Sequence, residues 1–492
     1  MTYNMLLRSW APFLLCVAAL SAEARLEFGS PFADHAVLQR GKTVHIWGWS
    51  DPGDAVTVTF AGQKETTTAD GDGAWRVALK PMAASKEPRE LTASSQDASV
   101  SISDVLVGEV WLCSGQSNME FSLFSGAPRV RERDGGLTAQ MTDRPFIRYM
   151  NGSAYQASAT PIAKTPAQRH WEKLTPGMLS RHGISAVGVL YALELYAALD
   201  VPVGIIAAAW GGTQISPWIP REGLLGKPGL EDVLAKIPPS GKGVDKKIAG
   251  EPTAIYNALV APLAPYAMRG IVWYQGESDH RDGKRYAMKM KAYFDGMRQV
   301  FFDQSLKLYF CQIAPWKHGG PGYFDVRCQQ AEFANMEANA EMVVTSDIGN
   351  ADEIHPYEKA PVAKRLAAFA LRNDYGWRNL RCDYPTPVSA TSTGSVAVVR
   401  FKHGEDLAVY NMNGKFDLNV ELAGSDGIFH RAKLVEEPKA PLFKLADNEL
   451  RVASDDVARP TRVRYLFDSG AFGAIVNGFG LPAGPFELPI KP

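Results

Sequence analysis

The sequence predicts an α/β protein in which a three-layer α/β/α domain with a mainly parallel sheet is flanked by β-sandwich-like regions at both ends. Strand and helix patterns alternate between residues 104 and 377, whereas short strand patterns fill residues 25–103 and return over residues 378–492. Alternation favours a parallel sheet, because each crossover helix packs back onto the strands it connects. The predicted domains are therefore 25–103, 104–377 and 378–492, after a signal peptide at 1–24.

Length and composition are those of a globular protein with a large core. The 492 residues suffice for roughly two to four domains, and 46% of them are hydrophobic. The formal net charge is -1 and no basic stripe occurs, so nucleic acid is not an expected partner. The nine histidines are scattered and the cysteine spacing matches no metal site. No metal or organic cofactor is expected.

The first 24 residues have the pattern of a secretory signal peptide. Arg8 precedes an apolar run from Trp10 to Leu20, and Ser21-Ala22-Glu23-Ala24 offers a small-residue cleavage site. We expect cleavage after Ala24 and export to the periplasm or the medium; an uncleaved anchor is the alternative. No later stretch has the length of a membrane span, so none is expected in the mature chain.

Four of the five cysteines follow the expected cleavage site. Cys113 and Cys311 lie in apolar strand-like runs and are predicted to be buried packing residues. A bridge between two of the four remains open, because sequence alone does not pair them.

The amino-terminal region is predicted to be a small β-sandwich. Val44–Trp49, Ala55–Phe60 and Trp75–Leu79 are short alternating or β-branched runs. Asp51–Asp54 and Asp70–Gly73, which separate them, are strong turn signals. The tryptophans of these strands are expected to pack in the core rather than to stack on sugars.

The middle region contains apolar strand candidates separated by helical patterns. The strand candidates are Val105–Cys113, Val203–Ala209, Gly270–Tyr274, Lys307–Ile313 and Glu341–Ser346, and the helical stretches are Ser185–Leu199, Tyr286–Phe302 and Lys359–Arg372. Ser185 is a candidate amino-terminal cap. The sequence leaves open whether the β strands that follow Trp377 form a separate unit or pair with the amino-terminal ones.

The most informative turn is Ser114–Asn118, directly after the apolar run that ends at Cys113. A strand that ends in a tight turn presents a hydroxyl at the carboxyl edge of the sheet, where α/β folds hold ligands and nucleophilic serines. Ser117 is the candidate nucleophile, and it needs a base for activation. A plain strand-to-helix loop is the alternative.

A candidate base and its acid follow another strand end, on the same edge of the sheet. His355 is the proposed general base, and Asp352, three residues earlier, is placed to orient its imidazole. Asp347 is the rival acid, ranked second because it lies farther from His355. A histidine that only packs or caps is the alternative.

Two further strand ends offer donors for an oxyanion. Trp210-Gly211-Gly212-Thr213 follows one strand, and Gly212 has no side chain to keep its N–H from a substrate oxygen. Gln275 follows the next strand and offers a side-chain amide. Four strand ends thus carry a nucleophile, a base and two donors.

Four sequence blocks resemble those of SGNH-type carbohydrate esterases, above all the sialate O-acetylesterase family. The blocks are GQSNM at 115–119, WGGT at 210–213, WYQGESD at 273–279 and DEIHP at 352–356. The resemblance covers most of the mature chain and implies an SGNH-hydrolase-like fold. It implies Ser117 as nucleophile, His355 as base and Asp352 as its partner, with the Ser117 N–H, Gly212 and Gln275 as oxyanion donors.

The resemblance also implies an O-acetylated carbohydrate as substrate. Candidate substrate-binding residues in or near the blocks are Trp210, Trp218, Tyr274 and Glu277. Core packing is the alternative for the three aromatic residues. For Glu277 the alternatives are a supporting role beside the site and an ordinary surface or ion-pair role. Members of the family often carry Pro-Ile-Glu-Ala-Trp after WGGT, where this chain has Gln214-Ile215-Ser216-Pro217-Trp218, and this departure affects the expected sugar preference.

The expected activity is hydrolysis of sugar acetyl esters through an acyl-enzyme, with sialic acids as the first substrate class. An esterase for acetylated xylan or another polysaccharide is the first alternative, because the groups that handle the acetyl ester would be the same. A non-catalytic carbohydrate-binding protein is the second alternative.

Overall fold

A computed structural model describes residues 25–123, 142–152, 155–164, 170–179, 181, 183–240, 244–410, 418–436 and 442–491. The predicted signal peptide lies outside these ranges. The described residues contain both strands and helices, so the mixed α/β class is confirmed.

Strands dominate both ends of the chain, and most helices lie between them. The described strands are Leu26–Phe28, Val37–Gln39, Val44–Ser50, Ala55–Phe60, Gln63–Thr68, Ala74–Leu79, Ser85–Ser94, Ser99–Gly115, Arg144–Asn151, Trp171–Leu174, Val203–Ala209, Gly270–Tyr274, Lys307–Cys311, Ala340–Val343, Thr386–Thr393, Val396–Lys402, Ala408–Tyr410, Val420–Ala423, Phe429–Arg431, Lys433–Leu434, Leu442–Lys444, Glu449–Ala453, Arg462–Tyr465, Ile475–Val476 and Phe486–Lys491.

The main helices are those that connect the strands of the central sheet. The described α-helices are Ser117–Glu120, Pro176–Leu179, Ala186–Leu199, Arg221–Leu224, Glu231–Ala235, Tyr286–Val300, Pro321–Met336 and Lys359–Asp374. Short 3-10 or π segments are Ser216–Trp218, Lys246–Ile248, Tyr256–Val260, Ala261–Leu263, Glu277–Arg285 and Ala446–Asn448.

The central sheet is parallel except for one antiparallel strand at its edge. The order is Trp171–Leu174, Arg144–Asn151, Val203–Ala209, Ser99–Gly115, Gly270–Tyr274, Lys307–Cys311 and Ala340–Val343. The first pair is antiparallel and each later neighbouring pair is parallel. All residues of Val203–Ala209 and Gly270–Tyr274 are buried, as expected of strands that are covered on both faces.

Alternate residues of these strands enter two different buried clusters. Ile206 and Ala208 pack in a cluster that includes the helix Tyr286–Val300. Ile205 and Ala207 pack in another, which includes the helices Ala186–Leu199 and Lys359–Asp374. The period of two along a strand explains this partition, because successive side chains point to opposite faces.

The strand Ser99–Gly115 links the amino-terminal region to the central sheet. Its first half pairs with Ser85–Ser94, and its second half pairs with Val203–Ala209 and Gly270–Tyr274. The predicted boundary between residues 103 and 104 therefore lies inside one continuous strand. One buried cluster also joins core residues of the two regions.

The carboxy-terminal strands form sheets of their own. Among the described strands, those that follow Thr386 pair with one another and not with the amino-terminal ones. Their side chains also form a separate buried cluster, which includes Val399, Leu422 and Tyr465. The two β regions therefore share no sheet in the described part of the chain.

Several local predictions are confirmed. The Ser185 side chain accepts a hydrogen bond from the Gly188 N–H (3.0 Å) at the start of the helix Ala186–Leu199. Cys113 and Cys311 are fully buried, and burial raises the pKa of both thiols. These two cysteines, Cys328 and Cys382 are all free thiols.

The helix Pro321–Met336 was not predicted from the sequence. It begins with proline in its first turn, a position where the missing N–H costs nothing. Its polar and apolar residues are mixed, so its helical period is weak. Within the described ranges, no helix combines the length and apolar character needed to cross a membrane.

Candidate active site

Ser117 lies at the carboxyl edge of the central sheet, just past the strand Ser99–Gly115. Gly115 has φ +141°, and a Cβ there would lie 2.2 Å from the Tyr274 carbonyl oxygen, so the close approach of the neighbouring strand requires glycine. The Gln116 N–H donates to the same carbonyl (3.0 Å). These contacts hold the start of the turn, and Ser117 is partly exposed.

His355 lies in the loop between the strand Ala340–Val343 and the helix Lys359–Asp374, and it reaches the same edge. Its ring centroid is 6.2 Å from that of Phe121, which closes the turn begun at Ser117. The Asn118 Nδ2 donates to the Ile354 carbonyl oxygen (3.0 Å), so residues adjacent to Ser117 and His355 are hydrogen-bonded. Between Ser117 and His355, both described, there is no direct hydrogen bond.

The surroundings of His355 favour a neutral imidazole. Burial lowers its pKa below the ordinary value of 6.5, and the nearby positive charge of Lys359 lowers it further, against a weaker opposing effect of Glu353. A histidine that is neutral near pH 7 can accept a proton, as a general base must.

The two candidate acids have other partners in this structure. The Asp352 side chain is 61% exposed and forms an ion pair with Lys317. The Asp347 carboxylate accepts two hydrogen bonds from Arg365, at 2.8 and 2.6 Å. Neither of these described carboxylates is hydrogen-bonded to His355, so the orienting role of Asp352 stays a prediction.

The Gly211-Gly212 turn lies against Ser117. A Cβ on Gly211 would lie 3.3 Å from the Ser117 Cβ, so a side chain there would crowd the hydroxyl. The Gly211 N–H donates to the Glu120 Oε2 (2.7 Å). Gly212 is exposed with φ +75°, and its N–H has no acceptor among the described residues. The Gly212 N–H is thus free to donate to a ligand, and its role as an oxyanion donor stays a prediction.

Gln275 is placed differently from the expectation. It is fully buried, and its Nε2 lies within hydrogen-bond distance of the Asp279 Oδ2 (2.6 Å), the Thr213 carbonyl oxygen (3.0 Å) and the Gln116 Oε1 (3.1 Å). An amide has two N–H donors, and these acceptors engage both. In this structure Gln275 therefore supports the glycine turn and has no donor to spare for an oxyanion.

Three of the four predicted sugar contacts are corrected by the structure. Trp218 and Tyr274 are fully buried, and Glu277 is 3% exposed. The Trp218 ring packs 5.9 Å from Trp273, and its Nε1 donates to the Thr213 hydroxyl (3.0 Å). These side chains are buried in the core, so a sugar bound at the surface cannot contact them.

Trp210 keeps an edge at the surface, with 8% of it exposed. Its ring contacts that of Tyr155 at 5.5 Å, and the Lys246 ammonium lies 6.0 Å from its centroid. The Tyr155 hydroxyl bonds to Glu120, whose pKa is raised by burial. The predicted substrate-binding role of Trp210 stays a prediction.

Several polar residues that lie beneath the site were not predicted from the sequence. Asn118 and Lys359 are fully buried and hydrogen-bonded to each other (2.6 Å). Asp279 accepts from the Ile215 N–H (2.9 Å) and holds the residue just past the glycine turn. Asn118 and Asp279 lie within the sequence blocks, and this position could have indicated that they belong to the site. No sequence pattern indicates the same for Lys359.

The described ranges contain no group of three or more His, Cys, Asp or Glu side chains placed to hold a metal ion. The groups gathered at the carboxyl edge are instead a hydroxyl, an imidazole with a lowered pKa and a free backbone N–H. These are the groups that acyl transfer requires.

Comparison with known proteins agrees with this chemistry. The sequence profile of a carbohydrate esterase family, the sialic acid-specific acetylesterases, matches residues 107–371. Sialate O-acetylesterase of Rattus norvegicus is 28% identical over 459 residues, covering 82% of this chain and 84% of the rat protein. The Homo sapiens enzyme of the same name is 28% identical over 439 residues, covering 82% and 81%.

A solved structure is also similar over most of its length. A carbohydrate acetylesterase from Xanthomonas citri superposes with a TM-score of 0.79 at 29% identity, covering 94% of this chain and 99% of that chain. The profile match alone spans more than half of the chain. The chain therefore belongs to the sialic acid-specific acetylesterase family of carbohydrate esterases, and it is a carboxylic ester hydrolase.

Proposed function

We propose that this protein is a serine esterase that removes O-acetyl groups from acetylated sugars, with O-acetylated sialic acids as the first substrate class. The observation that carries the proposal is the meeting of the Ser117 and His355 segments at one edge of the sheet, joined by the Asn118–Ile354 hydrogen bond (3.0 Å). The names of the rat and human relatives support the choice of sugar.

In the proposed mechanism, His355 takes the proton of the Ser117 hydroxyl as its oxygen attacks the acetyl carbonyl carbon. The backbone N–H groups of Ser117 and Gly212 hold the oxyanion that forms. The bond between the carbonyl carbon and the sugar oxygen then breaks, and the sugar oxygen leaves with the proton from His355. His355 next deprotonates a water molecule, whose attack releases acetate and restores Ser117.

Acetate release tests this function. The wild-type protein is incubated with O-acetylated sialic acid, with acetylated xylan and with p-nitrophenyl acetate, and Ser117→Ala is the matched control. We expect the sialic acid ester to be cleaved with the highest kcat/KM, and Ser117→Ala to lose at least about 10⁴-fold of the wild-type rate on all three. Faster cleavage of acetylated xylan would reassign the substrate class, and equal activity of Ser117→Ala would overturn the serine mechanism.

We also propose an architecture for the protein that agrees with its family. A three-layer α/β/α arrangement of the SGNH type, with a mainly parallel sheet, is supported by the parallel strand pairs and the two buried clusters on either side of the sheet. The division at 103/104 and 377/378 is part of this proposal, although one strand crosses the first boundary.

Export is supported by the pattern of Met1–Ala24. Amino-terminal sequencing of the protein isolated from its natural host tests it. A chain that begins at Arg25 in the periplasm or medium is expected, and a chain retained in the cytoplasm with Met1 in place would overturn it.

A further inference from the structure

A buried polar cluster lies directly beneath the candidate active site and has no role in the mechanism above. It consists of Asn118, Glu277 and Lys359, of which Asn118 and Lys359 are fully buried and Glu277 is 3% exposed. Burying an ionisable side chain costs several kcal/mol unless partners compensate for the lost hydration. A cluster at this place therefore calls for a function beyond packing.

The Asn118 amide is the centre of the cluster. Its Nδ2 donates to the Glu277 Oε1 (2.5 Å) and to the Ile354 carbonyl oxygen (3.0 Å), and its Oδ1 accepts from the Lys359 Nζ (2.6 Å). Both amide protons are thus used. Asn118 follows Ser117 in the chain and Ile354 precedes His355, so this one amide joins the backbone on either side of the candidate catalytic pair.

Lys359 adds a charge to this geometry. Its ammonium lies 5.0 Å from the centroid of the Phe121 ring and 5.1 Å from that of Tyr274. The ionisable groups that face it are Glu277, Cys311, Tyr274 and, from the neighbouring loop, His355.

Burial lowers the pKa of Lys359 to about 7. The groups that face His355 are Lys359 and, on its own loop, Glu353. The positive charge of Lys359 disfavours the charged imidazole, so removal of that charge raises the pKa of His355.

We propose that Asn118 and Lys359 are positioning residues that hold the His355 loop against the Ser117 turn, with Glu277 as the anchor of the Asn118 amide. This inference rests on the proposed esterase function. In the proposed mechanism, Asn118 sets the distance between Ser117 and His355. Lys359 orients the Asn118 amide, and its positive charge adds to the effect of burial in favouring the neutral imidazole.

The test compares Lys359→Met and Asn118→Asp with a matched control, Lys364→Met. Met keeps the length of the Lys359 side chain without its charge or donors, and Asp keeps an acceptor at position 118 but removes the donor to Ile354. Lys364 is an exposed lysine on the same helix. Circular dichroism and thermal unfolding identify the variants that fold.

The first readout is the pH profile of p-nitrophenyl acetate hydrolysis. We expect Lys359→Met and Asn118→Asp to lower kcat about 10- to 100-fold with KM changed less than about 2-fold, as for groups that act on alignment. Lys359→Met also moves the acid limb of kcat/KM upward by about half a pH unit or more. Lys364→Met leaves both quantities unchanged.

The second readout does not depend on turnover. Diethylpyrocarbonate modifies neutral histidine, and the extent of His355 modification, measured by peptide mass spectrometry across pH, gives the midpoint of its titration. This midpoint is expected to rise in Lys359→Met and to stay in place in Lys364→Met. A purely structural role for Lys359 would not move it.

The proposal is overturned if the folded Lys359→Met and Asn118→Asp proteins keep the wild-type kcat and the wild-type titration of His355. If Lys359→Met does not fold, the kcat of Asn118→Asp decides. If the wild-type protein hydrolyses no acetyl ester, the proposed esterase function is wrong. The modification midpoint of His355 in Lys359→Met then still shows whether the charge of Lys359 affects the pKa of His355.

Discussion

The two halves of the candidate site differ in how firmly the fold holds them. The turn that carries Ser117 is surrounded by buried amides: Gln116, Asn118 and Gln275 each make hydrogen bonds to neighbouring strand ends. The loop that carries His355 is half-exposed, and Asp352 in the same loop is 61% exposed and paired with Lys317.

This difference has a physical origin. The Ser117 turn lies between strand ends in the middle of the sheet, where every buried polar group needs a partner. The His355 loop lies beyond the edge strand Ala340–Val343 and touches the rest of the site mainly through Ile354 and the Phe121 ring. Ser117 is thus placed by the sheet, whereas the position of His355 depends on a few contacts.

The largest expected effect on catalysis comes from a substitution in the Ser117 turn. Ser117→Ala removes the attacking oxygen, so kcat for acetate release should fall by at least about 10⁴-fold, with residual rate from the remaining donors. The substitution removes one partly exposed atom, and the melting temperature should be unchanged. A loss of less than tenfold would show that Ser117 is not the nucleophile.

His355→Ala tests the loop that carries His355. We expect kcat to fall about 10³- to 10⁴-fold, because no base then takes the serine proton. His318→Ala is the matched control, since His318 is an exposed histidine on a neighbouring loop. The control should retain the wild-type rate. Equal losses in both variants would mean that His355 has no special role.

A smaller effect is expected at the acid position. Asp352→Asn should lower kcat about 10- to 100-fold if Asp352 turns from Lys317 to His355 when substrate is bound, because catalytic hydrogen bonds often tighten only in the complex. Asp347→Asn disturbs the Arg365 pair and should affect thermal stability more than kcat. If Asp347→Asn is the more damaging change to kcat, the acid assignment is wrong.

The smallest expected effect is a shift of the acid limb of the pH profile of kcat/KM. Because burial and Lys359 lower the pKa of His355, the base stays neutral to below pH 6.5 and activity is lost only as pH falls through the lowered value. The profile of kcat/KM between pH 4 and 8 should therefore have its acid midpoint below 6.5. A midpoint above 6.5 would contradict the buried, charge-adjacent position of the imidazole.

The sequence by itself determined the mixed α/β class and the turns that carry the candidate catalytic residues. Buried strands have continuous apolar sequences, and the carboxyl ends of parallel strands lie at one edge of a sheet. The turns and loops after such strands therefore indicated Ser117, Gly212 and His355 as candidates. The missed helix Pro321–Met336 and the strand that crosses residue 103 show the limit of periodicity, which marks local patterns but not how far an element continues.

Only the tertiary structure decided which side chains face solvent and which groups pair. The packing of helices on the sheet buried Tyr274, Trp218 and Glu277, and the neighbours of Gln275 occupied both of its amide protons. Lys359 reached Asn118 only because the chain folds two distant segments onto one another. Burial and hydrogen bonding depend on all neighbours in space, and a linear pattern specifies only those along the chain.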